Sequence, residues 1–216
     1  MKKKRDSEEN RKLSPAEERR LERFNKTAEE LRGQGYELRE ITVGIIKANL
    51  FALVLTVPVF ITGIALFFLK NRGADITNFT IKGYIVFIAV LAVLIVVHEL
   101  IHGLTGGASA GMRNIEFGFM KEYLTPYCCC TAPLSKGVYI LGALMPLVLL
   151  GIVPAVWAVF CGSLPMLLTG LIMTVSAAGD IMVAAKLMGF KGGGQEVLYY
   201  DHPTKAGGVV FLRERA

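Results

Sequence analysis

The sequence predicts an all-α integral membrane protein, a bundle of four transmembrane helices with a charged N-terminal helix and a short β-like cytoplasmic connection. Two observations support this fold class. Hydrophobic residues make up 53% of the 216 residues and the mean hydropathy is +0.48, which is too apolar for an ordinary soluble domain. Charged residues crowd into the first 43 residues, a middle connection and the C-terminal part, and four apolar segments of spanning length lie between them.

Charge divides the chain into three predicted parts. They are a charged and partly disordered cytoplasmic segment (1–43), a four-helix membrane domain (44–189) and a cytoplasmic tail (190–216). In the first part, Ser14 followed by Pro15 and Glu17 predicts the start of a helix that stops at Gly33. The charged N-terminus predicts no signal peptide. The net charge of +6 is confined to the polar regions, which argues against a nucleic-acid-binding protein.

Four spans are predicted inside the membrane domain, at about 44–69, 81–104, 138–161 and 165–188. The last two come from one uncharged run, from Gly137 to Gly179, which the 162–165 segment divides into a helical hairpin. The connection at 108–136 is polar, and alternating apolar residues around Phe117 predict a short strand there.

The distribution of Lys and Arg predicts the orientation. These residues are more frequent in the N-terminal segment and in the 108–136 connection than at 162–165, although the 70–82 loop also carries three of them. By the positive-inside rule, both termini and the 108–136 connection lie in the cytoplasm.

The stretch His98-Glu99-Leu100-Ile101-His102 carries the expected chemistry. On a helix, histidines four residues apart lie on one face and share one metal ion, with Glu99 beside them; this is the His-Glu-x-x-His zincin pattern. The alternative is a chance match. Two facts favour a metal site: the chain has only three histidines, and a charged group in an apolar span costs about 2–3 kcal/mol.

Asp180 is the predicted third ligand, because it is the one acidic residue within the predicted fourth span. His98 and Asp180 lie at similar depths, roughly 25 Å and 22 Å from the entrance of parallel helices at about 1.5 Å per residue. The alternatives are an interfacial acid or an acid that binds a neighbouring helix. The third-histidine solution of soluble zincins is excluded by Ala108, and Glu116 and Glu122 lack a helical pattern.

Two further groups leave alternatives open. Asp201 and His202 form either a fourth ligand, a substrate-positioning pair or an exposed turn of the tail, which is the favoured interpretation. His202 and Asn114 are also the two candidates for an oxyanion donor. The run Cys128-Cys129-Cys130 predicts no disulfide framework and is expected to be a structural thiol cluster, since no second Cys or His pair stands at a zinc-finger spacing.

The motif helix followed by Gly179-Asp180 resembles the intramembrane zinc metalloproteases of the site-2 type. The chain is more similar to the zincin peptidase family DUF3267. The matching stretches lie between about residues 84 and 212, namely His98–Gly103, Tyr127–Pro133, Ala143–Pro146, Gly179-Asp180 and Asp201–Gly207. The resemblance implies that His98, His102 and, with less support, Asp180 bind Zn²⁺ and that Glu99 is catalytic.

The expected function is therefore peptide hydrolysis at a zinc site, with Glu99 as the proton acceptor and donor. The expected partners are a membrane-protein or peptide substrate and the lipid bilayer, and the strand in the connection could pair with an extended peptide. Two alternatives remain: a zinc hydrolase of a lipid-linked substrate, and a non-catalytic metal-binding scaffold, for which Glu99 has no evident use. A transporter is disfavoured because no second broken-helix repeat is visible.

Overall fold

The computed structural model describes residues 13–72, 80–120, 125–190, 192–205 and 207–215. Most of these residues are helical. The helices are α1 (Pro15–Gly33), α2 (Ile45–Lys70), α3 (Ile81–Ala110), α4 (Lys136–Pro146), α5 (Val153–Cys161), α6 (Leu164–Ser176) and α7 (Ala178–Gly189). The strands are β1 (Glu37–Thr42), β2 (Ile115–Met120), β3 (Thr125–Cys130), β4 (Leu134–Ser135), β5 (Glu196–Asp201) and β6 (Gly207–Arg213). A π-helical stretch, Leu147–Ile152, joins α4 to α5.

Among the described residues, three helical segments are long and apolar enough to cross a membrane, namely Ile46–Lys70, Ile81–Ala110 and Lys136–Cys161. Large apolar side chains on α2 and α3, such as Leu53 (67% exposed) and Val93 (61%), face outward, as lipid-facing residues do. The predicted fourth span is broken: α6 and α7 meet at 48° and reach spanning length only as a pair. The break has a consequence for the site, because it puts Asp180 in the first turn of α7.

Helix α1 forms as predicted. The Ser14 side chain accepts a hydrogen bond from the Glu17 N–H, and the Glu17 carboxylate accepts one from the Ser14 N–H at 2.8 Å. This reciprocal capping box satisfies two of the N–H groups that a helix start leaves free. The helix runs to Gly33.

The prediction of an all-α protein is confirmed only in part, because the mostly helical structure also contains a β-sheet. Four antiparallel strands form a sheet in the order β1-β6-β5-β4, with β1 from the charged N-terminal segment and β5 and β6 from the predicted tail. Helix α1 covers one face of this sheet, and α4 and α7 cover the other. In β5 and β6 both faces are therefore buried. Such strands show continuous apolar runs instead of the alternation by which half-exposed strands are recognised.

The strand predicted around Phe117 is β2, and it pairs with β3 in a separate two-stranded hairpin. Phe117 lies opposite Cys128 in this ladder. The hairpin packs against α3, and Gly103 permits the close approach, because a Cβ atom at that position would lie 2.3 Å from the Phe117 ring. Strand β3, with its cysteine run, thus lies beside the motif helix.

Candidate metal centre

His98 and His102 lie one turn apart on α3, as the four-residue spacing predicts. Their ring centroids are 4.8 Å apart, and the two Nε2 atoms approach to 3.1 Å. Both imidazoles therefore direct their Nε2 atoms toward the same point. His98 is buried, at 7% exposure, whereas His102 keeps part of its ring accessible.

Asp180 reaches this point from α7. Its Oδ2 atom lies 3.1 Å from His98 Nε2 and its Oδ1 atom lies 3.5 Å from His102 Nε2. The structure thus brings together the three ligands that the sequence predicts. Because Asp180 lies in the first turn of α7, the helix dipole also favours the ionised carboxylate there.

A backbone carbonyl orients the second imidazole. His102 Nδ1 lies 2.8 Å from the carbonyl oxygen of Gly142 on α4. A carbonyl only accepts, so Nδ1 carries the proton and Nε2 directs its lone pair into the site. Metal-binding histidines are commonly fixed in this way. The Nδ1 atom of His98 is buried and has no hydrogen-bond partner in the part of the chain that the structure describes.

The three side chains fit a zinc ion. One ligand atom from each lies within 4.8 Å of the other two. Tetrahedral zinc with bonds of about 2.0–2.1 Å separates its ligand atoms by about 3.3 Å. The two Nε2 atoms are 3.1 Å apart, and they lie 3.1 Å from Asp180 Oδ2 (His98) and 3.5 Å from Asp180 Oδ1 (His102). Two imidazoles and one carboxylate are a common catalytic donor set, which leaves the fourth position for water.

Glu99 is adjacent to the ligands but does not belong to the three-residue cluster. Its carboxylate lies within hydrogen-bonding reach of the backbone N–H of Cys128 on β3 and interacts electrostatically with both histidines and Asp180. The general base of a zincin is expected in this place, beside the metal and not bound to it. The strand next to Glu99 is β3, which the sequence does not predict as a strand.

Asp201 is not part of an exposed tail turn. It ends β5, and its carboxylate accepts hydrogen bonds from the Tyr139 hydroxyl and from the Cys130 N–H, the latter at 2.7 Å. Burial raises the pKa of Asp201, and the two hydrogen bonds oppose that shift. The sequence predicts Asp201 only as a neighbour of His202, and no local pattern indicates partners that lie on β3 and α4.

His202 fits the turn interpretation but is also buried, with a side chain only 8% exposed. Its Nδ1 accepts hydrogen bonds from the N–H groups of Thr204 and Lys205. Burial lowers the pKa of His202, and Lys205 lowers it further, whereas Glu40 raises it. The described metal-binding cluster does not include His202.

The remaining predicted candidates have other roles. The Asn114 amide donates to the Ala110 carbonyl at 2.6 Å and closes the end of α3, and Glu116 pairs with Arg20 at 3.0 Å. Glu122 lies outside the described residues. The three thiols in β3 are free, and burial raises the pKa of Cys128 to about 12 and that of Cys130 to about 11. Such thiols stay protonated at neutral pH, which favours a structural role over thiolate ligation.

Residues 91–193, which include the motif and Asp180, match the model of family DUF3267, described as "Putative zincin peptidase". The match to this family over part of the chain indicates a zinc metallopeptidase. Neither a curated protein nor a solved structure matches the chain.

Proposed function

We propose that this chain, which matches family DUF3267 over residues 91–193, is an integral-membrane zinc metallopeptidase that hydrolyses peptide bonds in membrane-embedded or juxtamembrane segments of its substrates. One observation supports this most strongly: His98, His102 and Asp180 converge from two apolar helical segments, with Glu99 beside them. Three ionisable side chains in such surroundings are costly unless they hold a cation.

The proposed chemistry assigns each side chain one task. Zinc bound by His98, His102 and Asp180 would lower the pKa of a water molecule and polarise the scissile carbonyl. Glu99 accepts the proton from the attacking water and later donates it to the leaving amine. The Cys128 N–H, beside the Glu99 carboxylate, keeps that carboxylate oriented while it exchanges the proton. The carbonyl of Gly142 holds His102 in the tautomer that binds metal.

Access to the site supports hydrolysis. The side chains of His102 and Asp180 keep exposures of 16% and 27%, compared with 9% for His98. The His102 and Asp180 side of the cluster is therefore where we expect water to enter. The three or four apolar helical segments favour a substrate that shares the membrane, and the Lys and Arg distribution favours termini on the cytoplasmic side.

Glu99 separates this proposal from a non-catalytic metal-binding scaffold. A site that only binds metal has no use for a half-buried carboxylate that lies beside the ligands and does not itself bind the metal. A hydrolase of lipid-linked substrates would use the same four residues, so only a substrate assay separates that alternative.

The test compares zinc content and hydrolysis in the detergent-purified protein and its variants. We expect about one zinc per chain in wild type and Glu99→Gln, and a loss of zinc in His98→Ala and Asp180→Ala. Glu99→Gln should lower the rate of hydrolysis of a transmembrane-peptide library by about 10²–10⁴-fold, as expected for loss of a general base. Glu29→Gln, which changes an exposed carboxylate of α1, is the matched control.

Three results would argue against the proposal. The first is a wild type that binds no zinc when zinc is supplied, and the second is hydrolysis of peptides by Glu99→Gln at the wild-type rate. Zinc-dependent release of product from lipid-linked substrates, with none from peptides, would favour the second hydrolase.

A further inference from the structure

Asp201 joins three elements beside the metal centre. It is the last residue of β5. One carboxylate oxygen, Oδ2, accepts the Cys130 N–H of β3, and the other, Oδ1, accepts the Tyr139 hydroxyl of α4. The carboxylate therefore connects the end of β5 to both β3 and α4.

Strand β3 presents two N–H groups to carboxylates. The Thr131 N–H donates to the Asn114 carbonyl at 2.7 Å, which makes that pair hydrogen-bonded. Hydrogen-bonded and non-hydrogen-bonded pairs alternate along an antiparallel ladder, so Cys130 and Cys128 belong to non-hydrogen-bonded pairs. Their N–H groups therefore point away from β2. The Cys130 N–H donates to Asp201, and the Cys128 N–H lies beside Glu99. These two N–H groups are two residues, or about 7 Å, apart along the strand.

No strand covers this outer edge. In the described part of the chain, β3 pairs with β2 alone. The Asp201 carboxylate thus takes the place of a neighbouring strand, and hydrogen bonds from N–H to a carboxylate are stronger than those between neutral groups. Without it, the Cys130 N–H, two residues from the Cys128 N–H, would lose its acceptor at this edge.

Asp201 also acts on the metal-binding side of the site. Tyr139 and Gly142 lie three residues apart on α4, and therefore on one face of that helix. The Gly142 carbonyl orients His102. A single carboxylate therefore fixes both the strand beside the general base and the helix that orients one predicted ligand.

We propose that Asp201 is a positioning residue: it fixes the outer edge of β3 so that the Cys128 N–H orients the Glu99 carboxylate for proton transfer. This inference rests on the proposed peptidase function. Asp201 is not assigned contact with the substrate or with the metal, and its effect passes through Cys130 and Tyr139.

The decisive variants change Asp201 in two ways. Asp201→Ala removes both acceptors. Asp201→Asn keeps the shape: its oxygen accepts the Cys130 N–H, and its amide donates to the Tyr139 hydroxyl oxygen. Glu196→Ala, at the other end of β5, is the matched control, because it breaks an exposed pair with Arg213.

Amide hydrogen exchange measures the proposed geometry without any substrate. In the zinc-loaded protein, Asp201→Ala should raise exchange at Cys128 and Cys130 by about tenfold, the effect of losing one hydrogen bond. Asp201→Asn and Glu196→Ala should match wild type. Glu99→Ala should raise exchange at Cys128 but not at Cys130.

Kinetics then link the geometry to the reaction. Asp201→Ala should keep one zinc and lower kcat by about 10- to 100-fold with a small change in KM, as a misplaced catalytic group does. Asp201→Asn should restore most of kcat. The double variant Glu99→Gln/Asp201→Ala should be no slower than Glu99→Gln, because residues that act through one another are not additive.

Unchanged exchange at Cys128 in Asp201→Ala would overturn the proposal, as would an additive loss in the double variant. If Asp201→Ala does not fold, Tyr139→Phe decides: raised exchange at Cys130 with lower kcat supports the proposal, and wild-type values of both overturn it. If wild type hydrolyses no peptide, the peptidase proposal fails, and the exchange data still decide whether Asp201 fixes the Cys128 N–H.

Discussion

Two polar clusters contact the β2–β3 hairpin, and they differ in how completely their groups are paired. In the metal centre, the Nε2 atoms of His98 and His102 face each other and Asp180 at 3.1–3.5 Å. Lone pairs and a carboxylate at this distance repel unless a cation or protons lie between them. The His98 Nδ1 atom adds a buried group without a partner among the described residues.

The second cluster consists of Arg20, Glu116, Tyr127 and Pro203, and we call it the Arg20 cluster. Arg20 is 6% exposed. Its guanidinium donates to Glu116 at 3.0 Å, to the Pro203 carbonyl at 3.1 Å and to the Tyr127 hydroxyl, and it stacks over the Tyr127 ring at 4.7 Å. The three acceptors of this cluster are each paired with the Arg20 guanidinium, so the cluster needs no bound ion or ligand.

The difference teaches how to distinguish a binding site from a structural clamp. Both clusters contain costly ionisable groups away from water. Acceptors that converge without a donor indicate a missing cation, whereas a donor surrounded by its acceptors indicates an interaction that holds elements together. Arg20 connects α1, the hairpin and the turn after β5. The metal centre should therefore respond to zinc, and the Arg20 cluster should not.

The largest expected effect is the loss of the zinc response in Asp180→Ala. A ligand at 100 times its Kd stabilises a folded protein by about 2.7 kcal/mol. Wild type should therefore melt at a higher temperature with zinc than with a chelator, and Asp180→Ala should melt at the same temperature in both. Arg20→Lys should keep the difference. A zinc-dependent Tm in Asp180→Ala equal to that of wild type would place the third ligand elsewhere.

The next effect tests the Arg20 cluster. Arg20→Ala leaves Glu116 and the Pro203 carbonyl without their donor, and breaking a buried pair on one side costs about 3–5 kcal/mol. Arg19→Ala, at an exposed neighbouring position, should stay within about 0.5 kcal/mol of wild type. Arg20→Lys should fall between them, since lysine lacks the planar fork. Thermal unfolding in detergent measures the stability of the three variants. Equal losses of stability in Arg19→Ala and Arg20→Ala would show that the Arg20 cluster does not hold these elements together.

A smaller effect concerns the hairpin that both clusters share. In Gly103→Ala, the new methyl group would lie 2.3 Å from the Phe117 ring, so the hairpin must move. Overpacking of this kind costs about 1–3 kcal/mol. Gly137→Ala is the control, because a Cβ atom there meets nothing within 4 Å. Phe117→Leu should relieve the cost of Gly103→Ala, and an equal cost in both backgrounds would contradict the contact.

The metal centre was predictable from sequence because its residues conflict with their surroundings. His98, His102 and Asp180 are ionisable groups in apolar runs, and a helical period with a depth estimate suffices to bring them together. The break between α6 and α7 was not predictable, since the run up to Gly179 is uncharged. This break nevertheless places Asp180 in the first turn of α7.

The sheet was missed for the opposite reason. Tyr199 and Tyr200 are each 1% exposed, and so is Val209, so β5 and β6 lack the alternation that reveals a strand with one wet face. Their partners are distant in sequence, as the pairing of Glu37 with Leu212 shows. Long-range pairing also explains why Asp201 and Arg20 gave no local signal: every partner that defines their roles comes from another element.

The smallest effect is a pH dependence in the turn that supports the Arg20 cluster. The His202 Nδ1 atom accepts two N–H groups, so protonation there would cost both hydrogen bonds. Burial and Lys205 lower the pKa of His202 in the folded protein despite the nearby Glu40. Above the ordinary histidine pKa of about 6.5, both states are neutral and the contribution of His202 to stability is complete.

As the pH falls below that value, the unfolded state takes up a proton first, and stability is lost until the folded pKa is passed. His202→Asn keeps an acceptor for the turn and removes the titration. Its Tm should therefore fall less than that of wild type between neutral and mildly acidic pH, with chelator present in both so that the metal centre does not contribute. Parallel Tm curves for the two proteins would show that His202 does not titrate in this range, and the Arg20 cluster would then be insensitive to pH as well as to zinc.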